Sequence, residues 1–138
     1  MNEQAQQELK KIFNDRFSQS ESTRANYARG EDTYDPVLSQ AVVFPESNEE
    51  VSKILKLCNE HKIPVVPFGT GTSLEGNVLG NENGITISLE KMNKILNVNV
   101  SDFDCRVQAN VTRKQLNEHL REDGVFFPID PGADAALG

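Results

Sequence analysis

The chain has 138 residues, 37% of them apolar, with 14 basic residues against 21 acidic ones for a net charge of −7 and an isoelectric point near 4.8. That length suits one folded domain, and that apolar content argues against disorder. Dispersed Lys and Arg on an acidic chain exclude nucleic acid and acidic membrane surfaces as partners; no run approaches the roughly 18 apolar residues of a transmembrane segment, no apolar leader opens the chain, and the expected location is the cytoplasm.

Residues 1–20 read as one amphipathic helix, with Leu9, Ile12, Phe13 and Phe17 in a single stripe. Its polar face is mixed in charge, which favours packing on the protein body over lying on a membrane. Residues 21–40 read as polar and irregular, with Asp35-Pro36 as a turn signal. The expected division is therefore a helix and irregular arm over 1–36 and a domain over 37–138. Ala41-Val42-Val43-Phe44 is a short strand stopped by Pro45. Ser47 and Glu50 form a capping box for a helix whose Val51, Ile54, Leu55 and Cys58 face a core. His61 ends that helix as a cap or surface residue, where a cation suits the dipole. Ile63-Pro64-Val65-Val66 is the next strand. Strand, helix and strand make a βαβ unit, with parallel strands and a right-handed crossover.

The segment Pro67-Phe68-Gly69-Thr70-Gly71-Thr72-Ser73-Leu74-Glu75-Gly76 holds three glycines, two threonines and a serine. It leaves the carboxyl end of a strand, where ligands bind in open α/β sheets. Glycine permits positive φ and close approach of a ligand, and consecutive amides in such a loop can cradle an anion such as phosphate. Two familiar phosphate loops do not fit. Gly71 and Gly76 have the P-loop separation, but Asn77 and Val78 follow where Lys and a hydroxyl residue are needed. Gly69 and Gly71 open a dinucleotide fingerprint, but Leu74 stands at the third glycine, and residues 76–84 carry turn chemistry. A surface loop of tight turns is the alternative reading. On so acidic a chain, a bound phosphate would rely mainly on backbone amides.

Three further strands follow: Ile85, Ile87 and Leu89 alternate, then Leu96, Val98 and Val100, then Cys105, Val107, Ala109 and Val111, the last two strands joined through Asp102-Phe103-Asp104. Thr112 and Gln115 make a second capping box, for a helix that turns Leu116 and Leu120 inward, leaves His119 in solvent and stops at Gly124 in αL geometry. Asp130-Pro131-Gly132 is turn chemistry. Cys58 and Cys105 have no Cys-x-x-Cys partner and no His at metal-ligand spacing; they read as reduced core or semi-core thiols, with a disulfide between them as the minority alternative, and no metal site is expected.

These segments, in this order, resemble the N-terminal flavin-binding region of the FAD-linked oxidases of the vanillyl-alcohol-oxidase (PCMH) type, and within them the branch of D-lactate dehydrogenase (cytochrome) and glycolate oxidase flavoprotein subunits. The residues that carry the likeness are Val43-Phe44-Pro45, the glycine-rich loop from Ile63 to Gly76, Gly84-Ile85-Thr86-Ile87-Ser88-Leu89, Val107-Gln108-Ala109-Asn110-Val111-Thr112 and Phe127-Pro128-Ile129-Asp130-Pro131-Gly132-Ala133-Asp134. The resemblance implies an α+β fold: a βαβ-type subdomain and the start of a second part of a PCMH-type FAD-binding domain, incomplete at its C-terminus. It implies FAD as cofactor, with Pro67, Phe68, Gly69, Thr70, Gly71, Thr72, Ser73 and Gly76 around the pyrophosphate and Pro131, Gly132 and Ala133 beside the flavin. Covalent members carry Gly-His-Ser in the loop where this chain has Gly71-Thr72-Ser73, which implies non-covalent FAD. Asn110 departs from the family's usual Gly before Val-Thr, with an expected cost in turn geometry near the adenine end.

The resemblance also implies a parent enzyme that oxidises a D-2-hydroxy acid, D-lactate or glycolate, held by a further C-terminal domain. Electrons pass to an acceptor protein or quinone, which would allow peripheral membrane association. The 138 residues carry no catalytic constellation, and alone they are expected to be inactive. Glu75, Asp130 and Asp134 read as turn and capping carboxylates rather than catalytic ones, and Glu75 must point away from a diphosphate or pair with a cation. Two alternatives stay open: another reaction on the same flavin domain, and a non-catalytic nucleotide-binding or interaction module.

Overall fold

The computed structural model describes residues 3–129 and 134–138. Two apolar clusters organise them, one around a four-stranded sheet and one around a hairpin.

Helix α1 (Glu3–Phe13) buries Ala5, Leu9 and Phe13. It ends earlier than the apolar stripe suggests. Asn14 takes a positive φ of 46°, a conformation Asn tolerates better than most residues. A short 3₁₀ turn follows, and Phe17 enters β1 (Phe17–Ser18), paired antiparallel with β2 (Ala41–Val43) through Phe17 and Val43. Phe17 is thus buried from a strand, while Ile12 is left 45% exposed. Helix α2 (Glu21–Asn26) occupies part of the stretch expected to be irregular; the Ser20 hydroxyl caps it by accepting from the Thr23 amide.

Helix α3 (Asn48–Glu60) starts as expected, with the Ser47 hydroxyl accepting from the Glu50 amide. The box is only half made. The Glu50 carboxylate turns outward to accept from the Glu46 amide at 2.7 Å and from both Arg16 Nη atoms at 2.6 and 2.7 Å, tying the N-terminal segment to α3. The buried residues are Ile54, Leu57 and Cys58, whereas Leu55 is 47% exposed, so the inward face is rotated from the expected one. His61 is the C-cap. Lys62 follows at φ 54°, and Lys62 and Ile63 donate to Asn59 and Cys58, a Schellman closure with Lys where Gly is usual.

Strands β3 (Val65–Phe68) and β4 (Ile85–Ser88) complete the sheet in the order β1-β2-β4-β3. β2 and β3 both run parallel to β4, which lies between them. All four residues of β4 are buried. Ile85 and Ile87 join Ala41, Val43, Ile54 and Leu57 under α1 and α3, and the strand's alternation sends Thr86 and Ser88 to the other face. There the Thr86 and Ser39 hydroxyls bond at 2.8 Å, and Ser39 also accepts from the Asn81 amide, so the buried oxygens are partnered. Pro67 is admissible because β3 is a sheet edge.

The second cluster joins β5 (Ile95–Asn99), β6 (Asp104–Val107), α4 (Arg113–Leu120) and the C-terminal residues. The antiparallel hairpin turns through a 3₁₀ segment and Phe103, which is in αL geometry. Both strands end short of the expected Val100 and Val111. The chain folds back there, with Gln108 and Asn110 donating to Lys94 and Met92. Thr112 caps α4 by accepting from the Gln115 amide, but the Gln115 side chain goes to the Asn93 carbonyl. Leu116 and Leu120 point inward; α4 ends at Leu120, and a 3₁₀ turn (Arg121–Asp123) follows, closed by Gly124 at φ 70°. Cys58 and Cys105 belong to different clusters and are free thiols.

Candidate functional site

The glycine-rich loop springs from the carboxyl end of β3. Phe68 is buried, and its carbonyl accepts from the Leu89 amide at 2.9 Å, which fixes the loop's root to the strand end. Beyond it, none of the amides from Gly69 to Gly76 donates to an acceptor among the described residues. Gly71 and Gly76 hold φ of 74° and 73°. A Cβ on Gly71 would lie 2.7 Å from the Phe68 ring, so glycine is required there on two counts.

The loop rests on the arm. A Cβ on Gly30 would stand 2.7 Å from the Ser73 carbonyl oxygen and 3.0 Å from that of Gly71. Both carbonyls therefore face Gly30. In a trans peptide the C=O and the next N–H point in opposite directions, and no peptide bond here is cis. The N–H groups of Thr72 and Leu74 are thus turned away from Gly30. Unpaired main-chain amides in a loop of this kind can accept an anion. Glu75 is exposed.

Tyr27 supports the floor. Its ring meets Phe68 edge-on at 5.0 Å and Phe44 at 5.6 Å, and its hydroxyl donates to Glu90 Oε2. Burial, and then this bond to a carboxylate, push the phenol up to about 12. Tyr34 packs beneath Gly76, whose Cβ would meet the Tyr34 ring at 3.0 Å. Sequence reasoning missed Tyr27, Gly30 and Tyr34. The only signal was an arginine-glycine pair and two tyrosines in an otherwise polar stretch.

The C-terminal residues lie against the same loop. The Ala136 amide donates to the Thr70 hydroxyl at 3.4 Å, itself 3.4 Å from the Thr72 hydroxyl. Ala136 bridges to Thr112, and Leu137 and Gly138 donate to Val111 and Ala109. Pro67 to Gly76 and residues 134–138 are therefore brought together; Asp130, Pro131, Gly132 and Ala133 lie outside the described residues. Asp134 accepts from the Lys114 amide in the first turn of α4, the capping role expected of it. Asn110 has no positive φ, so the expected cost in turn geometry is not incurred. His61 and His119 sit on separate helices, His119 exposed. No helix among the described residues is long and apolar enough to cross a membrane.

The family described as FAD binding domain matches residues 39–138. A probable mitochondrial D-lactate dehydrogenase of Danio rerio is 45% identical over 116 residues, which cover 84% of this chain and 23% of that protein. The mitochondrial D-lactate dehydrogenase (cytochrome) of Arabidopsis thaliana is 39% identical over 133 residues, covering 95% of this chain and 24% of the relative. The chain thus spans about a quarter of the length of these relatives. Among solved structures, an alkyldihydroxyacetonephosphate synthase superposes on the whole chain and 28% of its own with a TM-score of 0.90 at 22% identity, a likeness of fold. Fold and relatives agree: the chain belongs to the FAD binding domain family, has the α+β fold of the PCMH type, and takes FAD as its cofactor.

Proposed function

We propose that the loop 68–76 holds the FAD pyrophosphate through main-chain amides, and that the protein to which this chain contributes oxidises a D-2-hydroxy acid, D-lactate or glycolate. The observation that carries the first part is the orientation of the peptide planes, with the Gly71 and Ser73 carbonyls on Gly30 and the following amides unpaired. The second part is supported by 45% and 39% identity to two D-lactate dehydrogenases. In this reading residues 37–138 form the flavin-binding part, 1–36 the arm beneath it, and Pro131, Gly132 and Ala133 pass beside the flavin. Bound FAD supplies the hydride-accepting ring. The chain's own residues bind and orient it, and hydroxy-acid binding and proton removal fall to the rest of the protein. Electrons leave to an acceptor protein or quinone. A cytoplasmic setting stays part of the proposal, although both relatives are named as mitochondrial.

The test is fluorescence titration of the 138-residue chain with FAD and with riboflavin, which lacks the diphosphate. FAD should bind and riboflavin should bind far more weakly, and Gly71→Ala should remove most of that difference. Equal affinity for the two flavins, or no FAD binding, would overturn the loop's role. Thr72 stands where covalent members carry His, so FAD is held non-covalently; flavin that stays with acid-precipitated protein would contradict this.

A further inference from the structure

We propose that the hydrogen bond between Tyr27 and Glu90 positions the glycine loop for the cofactor, with Tyr27 as the positioning residue and Glu90 as its anchor. This rests on the loop reading above and adds the residues that set the loop in place. Tyr27 is the C-cap of α2, in the arm. Its ring meets Phe44, the residue after β2, at 5.6 Å and Phe68, the last residue of β3, at 5.0 Å, both edge-on. Its hydroxyl donates at 2.5 Å to Glu90 Oε2, two residues past β4. The three strands are parallel. One side chain therefore joins the carboxyl ends of all three, the end at which open α/β sheets hold their ligands.

The contact reaches the loop through Phe68. A Cβ on Gly71 would lie 2.7 Å from Phe68 Cζ and 3.0 Å from its Cε1, so the tip of that ring lies against the Gly71 main chain. The ring is buried, and packed groups of this kind transmit displacement. The Leu89 amide, next to Glu90, holds the Phe68 carbonyl at 2.9 Å. Ring and backbone of Phe68 are thus both tied to the turn after β4. The arm is tied with them: the Ala28 carbonyl accepts from Val37 and Gly80, and the Ser73 and Gly71 carbonyls face Gly30. Tyr27 and Phe68 belong to neither apolar cluster; what they pack is the root of the loop. Phe would serve that packing as well as Tyr. The hydroxyl adds a fixed direction, and a carboxylate partner makes its bond one of the strong kind.

The experiment measures FAD and ADP affinities of the full chain, Tyr27→Phe, Glu90→Ala, Glu90→Gln and the double variant Tyr27→Phe/Glu90→Ala, at a temperature where each is folded. Glu50→Gln is the control for lost stability, since the Arg16 link it weakens involves no loop residue. Tyr27→Phe and Glu90→Ala should each lose about fivefold for both ligands, the scale on which members of one hydrogen-bonded network couple. The double variant should lose no more than either single one, Glu90→Gln, which keeps an acceptor, should recover most of the loss, and Glu50→Gln should bind like wild type. Wild-type affinity in Tyr27→Phe and Glu90→Ala, losses that multiply in the double variant, no recovery in Glu90→Gln, a loss for FAD without one for ADP, or an equal loss in Glu50→Gln overturns the role of Tyr27 and leaves the loop reading standing. A wild-type chain that does not bind FAD overturns both.

Discussion

Replacing Gly30 by Ala tests whether the arm sets the shape of the loop. The new Cβ would stand 2.7 Å from the Ser73 oxygen, 2.8 Å from Val78 Cγ2 and 3.0 Å from the Gly71 oxygen. The Val78 methyl can rotate aside, but the two oxygens belong to the backbone. The Ser73 oxygen must retreat by about 0.3 Å to leave the forbidden range and by about 0.7 Å to reach ordinary contact. Gly30 has no positive φ, so the cost is steric alone. Overpacking of this kind costs about 1–3 kcal/mol, or about 4–12 °C in Tm for a chain of this length. Because each carbonyl shares a rigid plane with the next amide, the shift also tilts the Thr72 and Leu74 N–H groups, and FAD affinity should fall by about tenfold, the scale of a hydrogen bond to a charged group. Gly124→Ala is the matched control. Gly124 has φ 70° and nothing within 4 Å of a Cβ, so Ala costs about 1–2 kcal/mol of backbone strain with no path to the loop. Calorimetry and FAD titration of both variants decide the matter. If Gly30→Ala binds FAD like wild type while losing stability, the loop's amides do not hold the diphosphate.

Glu50→Gln should lower stability by about 1.5–3 kcal/mol, the scale of a charge-assisted hydrogen bond, read from denaturant unfolding. The Arg16 guanidinium holds the Glu50 carboxyl below the usual carboxylate range; the stability this supplies is therefore present above the unfolded value near 4.5 and lost as pH falls through the lower folded one. A Tm–pH profile should flatten there in the variant. Tyr27 has the opposite sign. Its phenol, raised to about 12, stabilises fully below pH of about 10 and loses this as pH rises towards the folded value, so ultraviolet titration should show a late tyrosinate that Tyr27→Phe abolishes. Cys58 is buried and its thiol is pushed up to about 11; at pH 8 a thiol reagent should modify Cys105 at least tenfold faster, and equal rates would contradict the packing of α3.

What could be read in the chain followed from strong local chemistry. Ser47 and Thr112 announced the starts of α3 and α4 because a hydroxyl at the N-cap binds an orphan amide whatever lies beyond. Gly124 announced an end for the same local reason. The loop was legible as a loop because glycines at Gly69, Gly71 and Gly76 and hydroxyls between them favour turns over strand or helix. Long-range partners were not legible. Phe17 continues a helical stripe on paper, but pairing with Val43 draws it into a strand. Leu55 continues the expected stripe, yet α3 turns Leu57 to the core and leaves Leu55 47% exposed, a matter of how the helix packs on the sheet. The second member of each capping box was taken by a distant group, Arg16 for Glu50 and the Asn93 carbonyl for Gln115. Gly30 and Tyr27 were invisible because their meaning lies in what crosses over them.

The position of β4 between β2 and β3 bears on how the protein is made. A nascent chain that has left the ribosome only as far as the glycine loop has two parallel strands with an empty lane between them, since each bonds to β4 and not to the other. Neither the sheet nor the buried Ser39–Thr86 contact can form until residues 85–88 are threaded into that lane. Synthesis delivers about 5–20 residues per second, so each molecule passes through an interval of order one second in which apolar strand edges are open to chaperones and to other chains.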